Sequence, residues 1–239
     1  MDSTIKSNIA QIIKNIRERA AASGRDANLI KLMAATKTVD EDRIREAIAG
    51  GITIIGENYV QDAAQKKSRL ERAGPIEWHM IGRLQTNKAK YAVRLFDMIH
   101  SLDRMELAME LDKRSRAIGR VAKVLIEVNT GVEATKSGVL VKEAIDLVRA
   151  AATLENISIE GLMTIPPWGE NPETSRPYFV TLRKLKEEIE AANIPRVQMG
   201  ELSMGMTEDY LIAIEEGATI VRIGRGIFGE RQKTAQSTI

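Results

Sequence analysis

Isoleucines at positions 5, 9, 12, 13 and 16 recur at three- and four-residue spacing, with Lys, Ser, Asn and Gln between them. That spacing lines the apolar side chains along one face of a helix over about 4–22. The pattern then changes. Short β-rich runs follow at Leu32–Lys37, Thr53–Asn58, Trp78–Leu84, Met98–Leu102, Val124–Asn129, Ile159–Ile165, Val197–Ser203 and Thr219–Gly224. Between them lie stretches of helical spacing near 41–49, 60–72, 86–95, 104–119, 139–153, 174–192 and 207–216. Gly50-Gly51 and Gly217 stand where helices should close, and Asp40 and Thr207 where N-caps should open them.

Eight strands alternating with helices predict a single (β/α)8 barrel over about 30–231, with the N-terminal helix as an extra element. A doubly wound open sheet is the competing arrangement of the same alternation. No linker-like, repetitive or low-complexity tract divides the chain, so one domain over 1–239 is expected.

Strand periodicity sorts the polar residues. In the last strand Val221 and Ile223 share the face that meets helices, which turns Arg222 and Gly224 into the barrel. A buried guanidinium needs a carboxylate or a ligand, and Glu201 is the nearest inward carboxylate by the same parity. Lys37 shares parity with Met33 and Ala35, Asn58 with Ile54 and Gly56, Glu127 with Asn129, and Ser203 with Glu201 and Gly205. His79 also points inward, where it serves either as a hydrogen-bonded core residue or in acid–base work. Most of these positions fall at C-terminal strand ends, the face on which barrels build their sites.

Composition narrows the chemistry. The 239 residues contain no cysteine and two histidines, His79 and His100, which excludes disulfides, thiolate metal sites and a thiol nucleophile. With 35 Lys+Arg against 33 Asp+Glu and few aromatics, there is no electrostatic or stacking case for nucleic acid. The first twenty residues lack the apolar stretch of a secretory signal, and no run is long enough to span a membrane. A cytoplasmic location is expected.

Lysine remains as a reactive group. A lysine at a strand end, partly desolvated or beside another cation, forms a Schiff base readily, and Lys37 is the leading candidate. Lys136, after the fifth strand, is its rival. Glycine-containing segments 203–207 and 224–229 follow the last two strands, the usual phosphate loops of barrels. An aldehyde-binding lysine beside a phosphate loop leaves two ligands open: pyridoxal 5′-phosphate (PLP), or a phosphorylated sugar in an aldolase.

Several segments together resemble one family. They are Met33-Ala-Ala-Thr-Lys37-Thr, Gly56-Glu-Asn-Tyr-Val-Gln61, His79-Met-Ile-Gly-Arg-Leu-Gln-Thr-Asn-Lys88, His100-Ser-Leu-Asp103, Gly161-Leu-Met-Thr164, Leu202-Ser-Met-Gly-Met206 and Val221-Arg-Ile-Gly224 with Ile227-Phe-Gly-Glu-Arg231. In that order, over about 30–231, the chain resembles the pyridoxal phosphate homeostasis proteins, relatives of the alanine racemase barrel (PLP fold type III). The resemblance implies PLP held as an internal aldimine on Lys37, with Asn58 beside the ring and Arg222 facing the pyridine nitrogen. It implies phosphate contacts from Ser203 and from the Gly224-Arg225 backbone. One departure is Arg225, where this family usually carries a small hydroxyl residue; its guanidinium is expected to point to solvent.

The implied role is buffering, storage or delivery of PLP, with apo-enzymes as acceptors and little or no turnover. Arginine opposite the pyridine nitrogen disfavours ring protonation and weakens the ring as an electron sink. The related racemases take a second base, a tyrosine, from an additional β-domain across a dimer. Only ten residues follow Gly229 here, so that domain is not expected, nor is its reason to dimerise; a monomer or weak dimer is. Tyr59 and Tyr210 are the hydroxyls nearest the strand ends that offer a substitute. An amino-acid racemase or other fold-type-III enzyme is the alternative activity, and a Schiff-base aldolase the next.

Overall fold

The computed structural model describes residues 4–133 and 137–230; Lys136 and Arg231 lie outside them. The strands are β1 (Lys31–Ala35), β2 (Ile54–Glu57), β3 (Glu77–Met80), β4 (Met98–Leu102), β5 (Ala122–Asn129), β6 (Val139–Leu140), β7 (Ile157–Met163), β8 (Val197–Ser203) and β9 (Ile220–Ile223). The α-helices are α1 (Ile5–Ala22), α2 (Glu41–Ala49), α3 (Val60–Leu70), α4 (Ala89–Leu95), α5 (Met105–Arg116), α6 (Val141–Ala151), α7 (Arg176–Ala191), α8 (Tyr210–Glu215) and α9 (Arg225–Phe228).

All pairings are parallel, and β1–β9 and β4–β5 contacts close the sheet on itself. The ring is the expected eight-stranded barrel rather than an open sheet. The ninth strand, β6, pairs only with the C-terminal end of β5, Val128 with Val139 and Asn129 with Leu140. Those two residues are therefore extended, not the first turn of a helix as their spacing predicts.

Apolar residues form two layers. The larger packs the outer strand faces against the helices. The smaller fills the barrel with Met33, Ile54, Met98, Leu125, Met163 and Ile220, three of which open their strands at the N-terminal end. Above that apolar floor the interior turns polar.

Helix α1 is no mere appendage. Among the described residues only four of helix follow β9, too few to cover the seam between β9 and β1. Helix α1 packs against α2, α8 and α9 and fills that place in the ring. Ile5, Ile9, Ile12 and Ile16 are buried along its inner face. Asn8 Nδ2 donates to the Ile227 carbonyl at 2.9 Å, and Arg19 pairs with Glu215. Thr4 caps its start by accepting from the Ser7 amide. Asp40 caps α2 as expected. Thr207 does not cap α8, whose first flanking residue is Asp209; its hydroxyl instead accepts from the Gly226 amide at 3.1 Å. No helix among the described residues is long and apolar enough to cross a membrane.

Candidate functional site

The sequence-predicted residues fall on four neighbouring strands, in the order β2–β1–β9–β8. Met33 pairs with Ile54 on one side and Arg222 on the other, and Ala35 pairs with Gly56. Lys37 and Asn58 therefore leave the sheet side by side at its C-terminal rim. Gly224 follows β9 against Ala35: a Cβ placed there would stand 3.4 Å from the Ala35 carbonyl oxygen. On the far side of β9, Ser203 pairs with Ile220.

Five of the predicted runs overshoot their strands: β3, β7 and β9 end at Met80, Met163 and Ile223 rather than at 84, 165 and 224, and the other two, β1 and β2, bear on the site. Strand β1 stops at Ala35, and Lys37 sits in a turn closed by the Val39 amide donating to the Thr36 carbonyl at 3.0 Å. Thr38 takes the left-handed conformation there, with φ 64°. The cause is a buried cluster behind the turn. Lys66 Nζ donates to the Thr36 carbonyl and to Glu57 Oε1, each at 2.6 Å, and Thr36 Oγ1 donates to the same carboxylate oxygen at 2.5 Å. These contacts hold Thr36 down and turn the following residue out. Lys37 is accordingly exposed, not partly desolvated, and meets no partner among the described residues. Strand β2 likewise ends at Glu57, one residue before Asn58.

Arg222 points inward and is buried, as parity predicts. Its partner is not Glu201. That carboxylate lies at the barrel floor, where it accepts from Lys31 Nζ and Thr219 Oγ1, both at 2.5 Å. Arg222 instead donates to Ser203 Oγ at 2.7 Å and to the Thr164 carbonyl at 2.9 Å. Two of its five N–H donors are thereby used, and among the described residues no carboxylate touches it. Burial pulls the guanidinium down to about 10, so it stays charged at neutral pH.

Ser203 opens a hydrogen-bond chain across the barrel. Its Oγ lies 3.0 Å from His100 Nδ1; His100 Nε2 lies 2.9 Å from His79 Nδ1; His79 Nε2 lies 3.3 Å from Glu77 Oε2. His100 is fully buried, and desolvation, with His79 and Arg222 nearby, holds its pKa well below the usual histidine value. His79 is thus a hydrogen-bonded core residue. Tyr210 is buried with its hydroxyl accepting from Asn15 of α1 at 3.0 Å, on the outside of the barrel, so it cannot serve as a second base. Tyr59 is exposed at the rim.

The two glycine loops meet beside Arg222. Gly205 has φ +90°, and a Cβ there would stand 2.5 Å from that of Ala213, so only glycine lets the chain turn tightly under α8. The Arg222 amide donates to the Gly205 carbonyl at 3.0 Å, tying the loops together. The Gly224 and Arg225 amides donate to no group among the described residues. The Arg225 side chain turns outward to an exposed ion pair with Glu208 at 2.9 Å.

Sequence reasoning weighed Glu127 only as an inward polar residue. It is buried on β5, accepts from Ser137 Oγ at 2.9 Å through Oε1, and leaves Oε2 without a partner. Burial pushes its carboxyl up to about 7. A cavity of about 510 Å3 opens on the other side of the rim, lined by Asn58, Tyr59, Arg83, Lys88 and Arg104 among others. Thr164, His100 and the Glu57–Lys66 pair were not separable from ordinary strand and helix residues by spacing alone. His100, at the middle of β4, carried the one available signal, the inward parity it shares with Met98.

Comparison with known proteins places the fold and the family. The profile of the alanine racemase N-terminal domain matches residues 7–232. The pyridoxal phosphate homeostasis protein of Aquifex aeolicus is 46% identical over 224 residues, covering 94% of this chain and 97% of that protein. Its counterpart in Escherichia coli K12 is 37% identical over 233 residues, covering 95% and 97%. Among solved structures, PipY of Synechococcus elongatus with PLP bound is 34% identical, with a TM-score of 0.78 over 90% of this chain and all of that one. An alanine racemase from Clostridium difficile shares the fold at 14% identity, with a TM-score of 0.69, and this chain spans 58% of it. The chain belongs to the pyridoxal phosphate homeostasis protein family, built on the barrel of the alanine racemase N-terminal domain.

Proposed function

We propose that this protein binds PLP at the C-terminal rim of the barrel and buffers, stores or delivers it without appreciable turnover. The observation that carries the proposal is Arg222, a buried cation with unused donors and no carboxylate in contact, beside free backbone amides on the adjoining loop. Such a site calls for an anionic, hydrogen-bonding ligand. The PLP bound by the PipY relative, at 34% identity, fits that chemistry.

When bound, the cofactor would supply an aldehyde that condenses with a primary amine and releases water, and Lys37 would supply that amine from an exposed turn that stays open to exchange, which suits a carrier. Asn58, on the adjoining strand end, lies against the ring. Arg222 faces the ring nitrogen, and as a cation it keeps a proton off that atom. The phosphate falls to the 203–207 loop and to the Gly224 and Arg225 amides, which donate to an anion without any side chain. The Arg225 guanidinium stays with Glu208 at the surface.

Borohydride reduction of the PLP-loaded protein, followed by peptide mass spectrometry, tests the reading. The pyridoxyl group should sit on Lys37, and Lys37→Ala should be colourless. A protein that cannot be loaded with PLP, or one labelled elsewhere, refutes it. Solvent-deuterium exchange at the α-carbon of a panel of amino acids tests the absence of turnover, and robust exchange would establish a racemase instead.

A further inference from the structure

We infer that His79 and His100 are positioning residues: a one-directional hydrogen-bond relay through the barrel makes Ser203 an acceptor for Arg222 and so fixes the guanidinium against the ligand. The inference rests on the PLP reading for what Arg222 faces, but the relay itself does not.

The direction follows from which groups can only give and which can only take. An arginine donates and never accepts, so Ser203 Oγ accepts from Arg222 at 2.7 Å. At the other end the Glu77 carboxylate only accepts, so His79 Nε2 carries a proton toward it. The Glu77 carboxyl is held below its usual range chiefly by that hydrogen bond. If His79 is neutral, its Nδ1 is bare and accepts from His100 Nε2–H at 2.9 Å. His100, also neutral, then has a bare Nδ1 that takes the Ser203 hydroxyl proton at 3.0 Å.

The opposite direction requires protons on both His79 nitrogens. That would place an imidazolium, buried to within 2% of its surface, in the same interior as Arg222. Lys31 adds a third positive charge at the barrel floor, offset by Glu201. Neutral histidines are the cheaper solution.

The consequence concerns Ser203. Its proton is committed to His100 and its lone pair to Arg222, so it has no proton for a phosphate oxygen. Ser203 holds the cofactor by anchoring Arg222, and the phosphate depends on the backbone amides. The relay also links the ligand face of the barrel to Glu77 at the opposite end, whose side chain is 64% exposed.

Nitrogen-15 NMR of the imidazoles decides the direction. Both rings should be Nε2–H tautomers at pH 7, with His100 staying neutral to a lower pH than an exposed histidine. A proton on His100 Nδ1 overturns the relay whether or not PLP binds. Coupling to the ligand is read on His100→Leu and His100→Asn. The leucine should weaken PLP affinity about tenfold and shift the absorption band or its pH profile, since Ser203 loses its acceptor. The asparagine carbonyl can take the Ser203 proton and should restore both. A lower Tm with affinity and band unmoved in His100→Leu means the chain is structural only, and overturns the inference. If His100→Leu does not fold, His79→Gln, which disturbs the same tautomer one link away, must move the band for the inference to stand. A wild-type protein that takes up no PLP refutes the cofactor reading, while the tautomer result still stands or falls alone.

Discussion

Lys66 Nζ lies 2.6 Å from Glu57 Oε1 in the wall of the barrel, and the carboxylate has no exposure to solvent. The same ammonium holds the carbonyl of Thr36, the residue before Lys37. A structural ion pair thus sets where β1 ends and where the turn that carries Lys37 begins.

Removing one partner should be costly. Lys66→Ala leaves the Glu57 carboxylate buried and uncompensated, a change expected to cost about 3–5 kcal/mol. Urea unfolding measures it, and PLP affinity should fall as the Thr36–Lys37 turn loosens. The double variant Lys66→Met, Glu57→Gln should recover much of the stability. Equal losses in the single and double variants would mean that charge burial is not the cause.

Arg222→Met separates stability from binding. Desolvation of a cation with no carboxylate in contact opposes folding, so the apo-protein should melt higher without it. PLP should bind more weakly, with a shifted absorption band. Calorimetry and a PLP titration on one preparation read both effects, and a variant that melts lower or binds PLP normally contradicts them.

Glu127 should make stability fall with rising pH. Its carboxyl is raised in the fold from 4.5 to about 7, so the protonated form is the one that folding favours. That contribution is complete below the unfolded pKa, near 4.5, and is lost as pH rises through about 7. The difference amounts to roughly 3 kcal/mol. Glu127→Gln should therefore gain on the wild type at pH 8 while matching it near pH 4.5. Urea midpoints that run parallel across that range would refute the assignment.

Burial of His100 acts in the opposite sense. Its neutral form is the one folded, so stability present above the unfolded pKa of 6.5 is lost as pH falls. His100→Asn should flatten the acid limb of the stability curve. An unchanged acid limb would show that other groups dominate it.

Gly205→Ala tests the loop under α8. The left-handed φ and the 2.5 Å approach to Ala213 leave no room for a methyl group, and a loss of at least about 2 kcal/mol is expected. An unshifted Tm would show that this loop yields easily.

The barrel was legible because short β-rich runs alternate with helical stretches along the chain. Parity placed Arg222 and Ser203 correctly on inward faces. It erred where face is not enough. Glu201 shares the face of Ser203 but lies one inward position lower, beside Lys31 and Thr219. Alternation gives the side of a strand, whereas the height of a side chain depends on register with its neighbours. The end of β1, and with it the exposure of Lys37, was misjudged for a related reason. What ends β1 is a lysine on α3 and a glutamate on β2, a contact between segments that no local pattern reports. Arg225 was expected to face solvent, and it does.

Helix α1 carries a consequence for how the molecule is made. Asn8 bonds to Ile227 across 219 positions, and the isoleucines at 5, 9, 12 and 16 are fully covered only when α8 and α9 join α2 against them. A helix that precedes β1 therefore waits for helices near β9. Until then a greasy stripe stands open, and the seam between β1 and β9 cannot be sealed. Contacts of such separation slow folding and lengthen exposure to aggregation. The helix is in effect the latch of the barrel, which closes the seam between β1 and β9.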